Sequence, residues 1–264
     1  MNPIDLKLAE IKKRNRIGIM THVVVGYPNL KKTVELVKVM SESGADFVEL
    51  QIPFSDPLAD GPTITVACEK SLAQGTRVSD AFTVARKLSG EVTTPLLFMA
   101  YYNTVFKYGV SKFCKNAARS GISGLIIPDM SLEEEKREHL SRYAKENGLY
   151  LIRVVAPVST EARLRKNARV AGGFVYCSAR QGTTGVRKEL SSGLSDYIRT
   201  VRRFFDVPLA VGFGISKREQ VEQISRHADI AVVGSAIIDV INKSTPELAA
   251  ENVRRLTRSL RLVG

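Results

Sequence analysis

Residues 47–62 read FVELQIPFSDPLADGP. Phe47–Ile52 is a short apolar run closed by Pro53, the pattern of a β-strand that ends where proline removes a backbone donor. A polar turn follows, and Pro62 sits where a helix can begin, ahead of the helix-period stretches Thr63–Ala73 and Ser79–Leu88. Strand alternation puts Phe47, Glu49 and Gln51 on one face and Val48, Leu50 and Ile52 on the other. The segment is therefore a strand, a long loop and a helix, one βα unit.

Working outward, the same unit repeats. Further strands are predicted at Ile17–Val25, Pro95–Tyr101, Gly124–Ile127, Tyr150–Val155, Gly173–Cys177, Pro208–Gly212 and Ile230–Gly234. Helices are predicted at Leu30–Ser43, Glu133–Glu146, Thr160–Ala168, Lys217–Ser225 and Pro246–Leu262. The gaps are too long for hairpins and suit parallel strands joined by crossover helices. Eight such units in 264 residues predict an α/β chain folded as one closed (β/α)8 TIM barrel over residues 1–264, with an N-terminal helix and an enlarged loop after strand 2. An open doubly wound sheet is the rival, but no G-x-G-x-x-G follows the first strand.

Hydrophobic residues make up 44% and charged residues 25%, ordinary for a globular chain. Cys68, Cys114 and Cys177 are far apart, odd in number and without a C-x-x-C, which argues against a disulfide framework or a thiolate metal site. The start, MNPIDLKLAEIKKRNR, lacks the apolar core of a signal peptide, and no apolar run is long enough for a membrane span, so the expected compartment is the cytoplasm. The net charge of +12 favours anions. The basic residues are scattered, tryptophan is absent and no aromatic–basic stripe runs through the chain, so a small phosphorylated ligand fits better than nucleic acid.

In a barrel Glu49 and Gln51 face the lumen near the C-terminal mouth. A carboxylate there needs a partner, and burial favours its protonated form, which suits a general acid/base. A buried glutamate satisfied by lysine or backbone donors explains the position equally well. Asp60 in the following loop reads by itself as a turn or cap residue. Three late strands run into glycines: Tyr176 to Gly185, Val211-Gly212-Phe213-Gly214 and Val233-Gly234-Ser235. Loops after strands 7 and 8 of a barrel, followed by helix N-termini, form a phosphate cup.

The run Ile52-Pro53-Phe54-Ser55-Asp56-Pro57-Leu58-Ala59-Asp60-Gly61-Pro62, preceded by Val48-Glu49-Leu50, resembles the signature of the tryptophan synthase α subunit. Gly26-Tyr27-Pro28, Tyr101-Tyr102-Asn103, Pro128-Asp129 and the glycine turns extend the resemblance over nearly the whole chain. The resemblance implies a lyase that cleaves indole-3-glycerol phosphate to indole and glyceraldehyde 3-phosphate by a retro-aldol step, without a cofactor of its own. It assigns Glu49 as acid/base and Asp60 as the carboxylate that bonds the indole N–H and stays ionised. Tyr176 and Thr184 would lie against the substrate, with Gly185, Gly214, Gly234 and Ser235 on the phosphate. It also implies an αββα heterotetramer in which pyridoxal phosphate belongs to the partner β subunit, with Pro53–Pro57 in the contact.

The chain departs from that family's pattern at three places. Gln51 stands where glycine is usual, and its amide is expected to donate to Glu49 or to fill the pocket. His22 stands where an apolar residue is common and reads as a satisfied core histidine. Ala179–Gly185 alters a loop with the usual pattern S-R-x-G-V-T-G. These departures keep open a second class of function, an α-type subunit that mainly activates its partner. A different phosphate-binding barrel isomerase does not explain Asp56-Pro57-Leu58-Ala59-Asp60-Gly61-Pro62.

Overall fold

The computed structural model describes residues 1–178, 192–212 and 214–262. Eight parallel strands close into a barrel in chain order: β1 (Gly18–Val24), β2 (Phe47–Gln51), β3 (Leu96–Met99), β4 (Ile122–Ile126), β5 (Tyr150–Val155), β6 (Val175–Ser178), β7 (Leu209–Gly212) and β8 (Ile230–Val233), with β8 pairing back onto β1. Every predicted strand is present, with ends moved by a few residues. β4 starts two residues earlier than expected because Ile122 pairs with Leu96 before a register shift lets Gly124 face Leu97.

Alternation along the strands separates two apolar regions. One lies between barrel and helices and includes Val23, Leu50, Phe98, Leu125 and Val211. The other fills the lumen with Met20, Phe47, Leu97, Ile126, Ile152, Phe174, Ala210, Ile230 and Val232. The N-terminal helix Pro3–Lys13 belongs to the second region, because Ile4 and Ile11 are buried in it. The fit is close: a Cβ on Gly124 would stand 3.1 Å from Ile4 Cδ1, and one on Gly18 would stand 2.7 Å from Ile11 Cδ1. The helix thus plugs the end of the barrel where the strands begin and leaves the opposite end open for chemistry. Asp46, just ahead of β2, fixes that strand's entry by accepting from both Arg16 Nη atoms at 2.6 Å and from the Ile19 N–H at 2.9 Å.

Two helical segments differ from a simple βα unit. The expected single helix Glu133–Glu146 is two helices, Leu132–Glu138 and Leu140–Glu146, broken at His139 in a left-handed conformation (φ 55°). Glu135 and Ser141 both bond the buried Arg153 of β5. Six residues apart on one continuous helix, they would face about 120° apart; the break turns both inward. Between β3 and β4 the chain makes Tyr102–Tyr108 and Val110–Arg119, hinged at Gly109 (φ 92°). The enlarged connection after β2 holds the helices Pro62–Ala73 and Val78–Ser89, as the sequence predicts to within one residue.

Because Ile4 is fully buried in the lumen plug, Ile4→Ala is expected to cost about 2–5 kcal/mol of unfolding free energy, the range for removing a core aliphatic side chain. Urea unfolding measures it; a loss below about 0.5 kcal/mol would show that the plug does not support the barrel.

Candidate active site

The site begins with strand register. β1 and β2 pair His22 with Glu49, so both side chains stand side by side on the lumen face. Both are buried, at 4% and 3% exposure. His22 Nδ1 lies 3.2 Å from Glu49 Oε2. Two residues on, Gln51 is fully buried on the same face. Its Nε2 donates to Asp60 Oδ2 at 2.6 Å, across the loop that follows its own strand. The expected bond from Gln51 to Glu49 is therefore not made. The loop returns Asp60 over the end of β2, where the amide reaches the outer carboxylate, while His22 on the neighbouring strand already holds Glu49.

Tyr101 fixes that loop. Its hydroxyl donates to Asp60 Oδ2 at 2.8 Å and accepts from the Ala59 N–H at 2.9 Å. Its ring stacks on Phe54, with centroids 5.1 Å apart. Asp60 is thus held by donors from β2 and from the end of β3, unlike a free turn residue. Burial pushes its carboxyl above the ordinary aspartate range; His22, Tyr101 and Gln51 oppose that rise, and Glu49 adds to it. For His22, burial works against the charged form, but Glu49, then Asp60 and Gln51, outweigh it and raise the imidazole above its usual value. Burial likewise pushes the Tyr101 hydroxyl far up, so it stays a donor.

The late strands supply the rest. Tyr176 of β6 is half-buried and reaches across to β7: a Cβ on Gly212 would stand 2.9 Å from its Oη, so a side chain there would push the tyrosine aside. Gly214 follows β7 with φ +67° and open space around it. Gly234 ends β8 and leads directly into the helix Ser235–Lys243. A Cβ at Gly234 would find Ile64 Cδ1 at 3.6 Å and His22 Cβ at 3.7 Å, so this turn borders the same space as the His22–Glu49 pair. Amides in a first helical turn lack intrahelical acceptors and carry the positive end of the dipole, which makes the turn suited to an anion. Thr184, Gly185 and the Ala179–Gly185 loop lie outside the described residues.

The structure thus brings Glu49, Asp60, Tyr176, Gly214, Gly234 and Ser235 to one end of the barrel. Sequence reasoning missed the role of Tyr101, quoted only as part of a motif, and the engagement of His22, read as a core histidine. For His22 a signal was available: it lies on the first strand, which must pair with the second in a barrel that closes in chain order. Among the described residues no group of three His, Cys, Asp or Glu is placed to hold a metal ion, and the three cysteines are buried and free. No described helix is long and apolar enough to cross a membrane.

Comparison with known proteins agrees with this geometry. Residues 8–262 match the family described as Tryptophan synthase alpha chain. The tryptophan synthase alpha chain of Syntrophotalea carbinolica is 43% identical over 259 residues, covering 96% of this chain and all of the relative, and that of Desulfotalea psychrophila is 42% identical over 249 residues, covering 94% and 97%. Among solved structures, Mycobacterium tuberculosis tryptophan synthase aligns with a TM-score of 0.90 at 32% identity over 97% of this chain and 96% of that one. Tryptophan synthase subunit alpha from Legionella pneumophila aligns at 0.89 and 30%, over 98% and 97%.

The hold of Tyr101 on Asp60 is testable. Tyr101→Phe removes one donor to Oδ2, so the Asp60 carboxyl is expected to move further up from the aspartate range, because the bond favours the ionised form. Carboxyl ¹³C titration by NMR reads the change. An unmoved midpoint would mean that Gln51 alone holds the carboxylate.

Proposed function

The chain belongs to the tryptophan synthase alpha chain family, and we propose that Glu49 and Asp60 are the paired carboxylates of its reaction. The protein is a carbon–carbon lyase of tryptophan biosynthesis that converts indole-3-glycerol phosphate to indole and glyceraldehyde 3-phosphate. The observation that carries the residue assignment is the pair of buried carboxylates at the open end of the barrel, one in the lumen and one on the loop, each with its own donors.

The chemistry moves one proton. The hydroxyl on the carbon attached to the indole ring loses its proton, and ring carbon C3 gains one. The electron pair of the breaking C–C bond flows into the protonated ring, while the hydroxyl oxygen forms the aldehyde carbonyl. Glu49 takes the hydroxyl proton and serves the protonation at C3. Asp60 accepts from the indole N–H and offsets positive charge on the ring, the role for which a second carboxylate in its own environment is suited. Its Oδ2 already receives two donors, so the N–H would be taken by the other oxygen or in exchange for one of them.

Tyr176 packs beside the substrate. Thr184 of the loop after β6 lies against the substrate as well, and Gly185, Gly214, Gly234 and Ser235 hold the phosphate by main-chain N–H groups and the hydroxyl. The family works with a β subunit. In this reading the assembly is an αββα heterotetramer, Pro53–Pro57 lies in the contact, and pyridoxal phosphate serves the partner's reaction. In this reading the enzyme works in the cytoplasm, in the same compartment as the reaction that makes its membrane-impermeant phosphorylated substrate. A second reading, a poorly active subunit that mainly activates its partner, is favoured by one observation: His22, Gln51 and Tyr101 already engage both carboxylates.

Indole release from indole-3-glycerol phosphate, measured with and without a β subunit, decides between the two. The lyase reading expects release by the wild type in both settings and a loss of at least about 10²-fold in Glu49→Gln, the lower end of a general acid–base contribution. No release in either setting, together with faster partner turnover, establishes the activator instead. Ser235→Ala is expected to raise KM about tenfold or more with kcat nearly kept, since it removes a hydrogen bond to a charged group made equally in ground and transition states. A fall in kcat at unchanged KM would take Ser235 out of the phosphate site.

A further inference from the structure

We propose that His22 is a positioning residue of the acid–base site: its imidazolium grips Glu49 and keeps that carboxylate in the ionised form that accepts the substrate proton. The proposal rests on Glu49 being the proton acceptor and goes beyond that reading by assigning the group that sets its state.

Three observations carry it. First, β-register fixes the pair: His22 and Glu49 are neighbours on adjacent strands, 3.2 Å apart, and both are buried. Among the described residues His22 is the one basic side chain within 4 Å of the Glu49 carboxylate. A carboxylate taken out of water without a cation reverts to its neutral form. Second, the polar atoms beside the ring leave a place for a second ring donor. Nδ1 faces Glu49, which leaves Nε2 buried without a hydrogen-bond partner, and the Oε1 of Gln51 is also buried without one. Buried polar groups in a purely structural histidine are normally satisfied. Gln51 is near enough to favour the charged ring. A neutral ring donating from Nδ1 would offer its Nε2 lone pair to this acceptor-rich space, whereas an imidazolium offers an N–H. Third, among the described residues the surroundings supply negative charge and no competing cation. β2 brings Glu49 and Gln51, and the loop after it brings Asp60 with Tyr101 bonded to it. β8, the turn after it and the helix Pro62–Ala73 bring Val232, Gly234 and Ile64. His22 keeps its own proton throughout the cycle; the proton that leaves the hydroxyl rests on Glu49.

The test combines a pH–rate profile with a spectroscopic measurement that needs no activity. An opposite charge at this range favours the ionised carboxylate. His22→Phe is therefore expected to move the acid limb of kcat for indole release to higher pH, with turnover recovering there. His22→Asn, which can offer Glu49 a neutral N–H, is expected to show a smaller upward shift. In the wild type, ¹⁵N NMR of a chain with only three histidines should show His22 with both ring nitrogens protonated at pH 7, and Glu49→Gln should lower its titration midpoint. An unmoved acid limb in both His22 variants, or a His22 that is neutral at pH 7 and unaffected by Glu49→Gln, overturns the proposal. If His22→Phe does not fold, His22→Asn and the NMR titration decide. Failure of the lyase reading itself is distinct, since the wild type then releases no indole with or without a β subunit while the titration still judges the pair.

Discussion

A carboxylate inside a closed barrel has to find its partners inside that barrel. The strands use their own backbone donors on one another, and the lumen below Glu49 is filled with aliphatic and aromatic side chains. Lone burial of charge there would cost several kcal/mol. The chain meets this constraint twice at one end of β2. Glu49 is met from β1 by His22, and Asp60 is met from β2 by Gln51 and from the end of β3 by Tyr101. Each partner lies on β2 itself, on an adjacent strand or just past its end, so the arrangement follows from register and closure and does not depend on a long flexible side chain. The plugged, apolar end of the barrel holds the strands in place, and the polar end is left free for substrate.

Much of this was legible in the sequence, and the reasons are local. Period-2 alternation in Phe47–Gln51 fixes which side chains face the lumen, and crossover lengths fix parallel pairing, so the barrel and the facing of Glu49 could be read from residues alone. The long motif ending in Asp60-Gly61-Pro62 adds the family. What could not be read depends on contacts between elements distant in the chain. From its facing alone, Gln51 is expected to donate to Glu49 two residues away or to fill the pocket. It serves Asp60 instead, because the loop folds back over the strand end, and no alternation rule describes a loop's path. The break at His139 is of the same kind: its cause, Arg153, lies on the following strand and bonds two residues that a straight helix would turn apart. His22 is an intermediate case, since its facing was readable and its partner required the β1–β2 register.

Two of the departures that the family resemblance points to, Gln51 and His22, form one arrangement. With a small residue at 51, the Asp60 carboxylate would lose the 2.6 Å amide donor and rely on Tyr101 and the substrate. With an apolar residue at 22, Glu49 would lose its basic neighbour. Having both, this chain keeps its two carboxylates solvated by protein before substrate arrives. Such preorganisation spares reorganisation during the reaction. It also sets a cost, because the indole N–H must share or displace a donor at Asp60. Tightness of the resting site and ease of substrate entry therefore oppose each other here.

The same economy of charge explains why the proposed phosphate turn is built of backbone. Gly234 lies within contact distance of His22, so a lysine or arginine brought there to hold the phosphate would also face the imidazolium and the two carboxylates. It would repel the imidazolium that pairs with Glu49. Amides at the start of the Ser235–Lys243 helix bind an anion through oriented dipoles and add no net charge to the lumen. The +12 of the whole chain can then draw a phosphorylated substrate toward the barrel at long range. Among the described residues, His22 is then left as the basic side chain beside the proposed acid–base group.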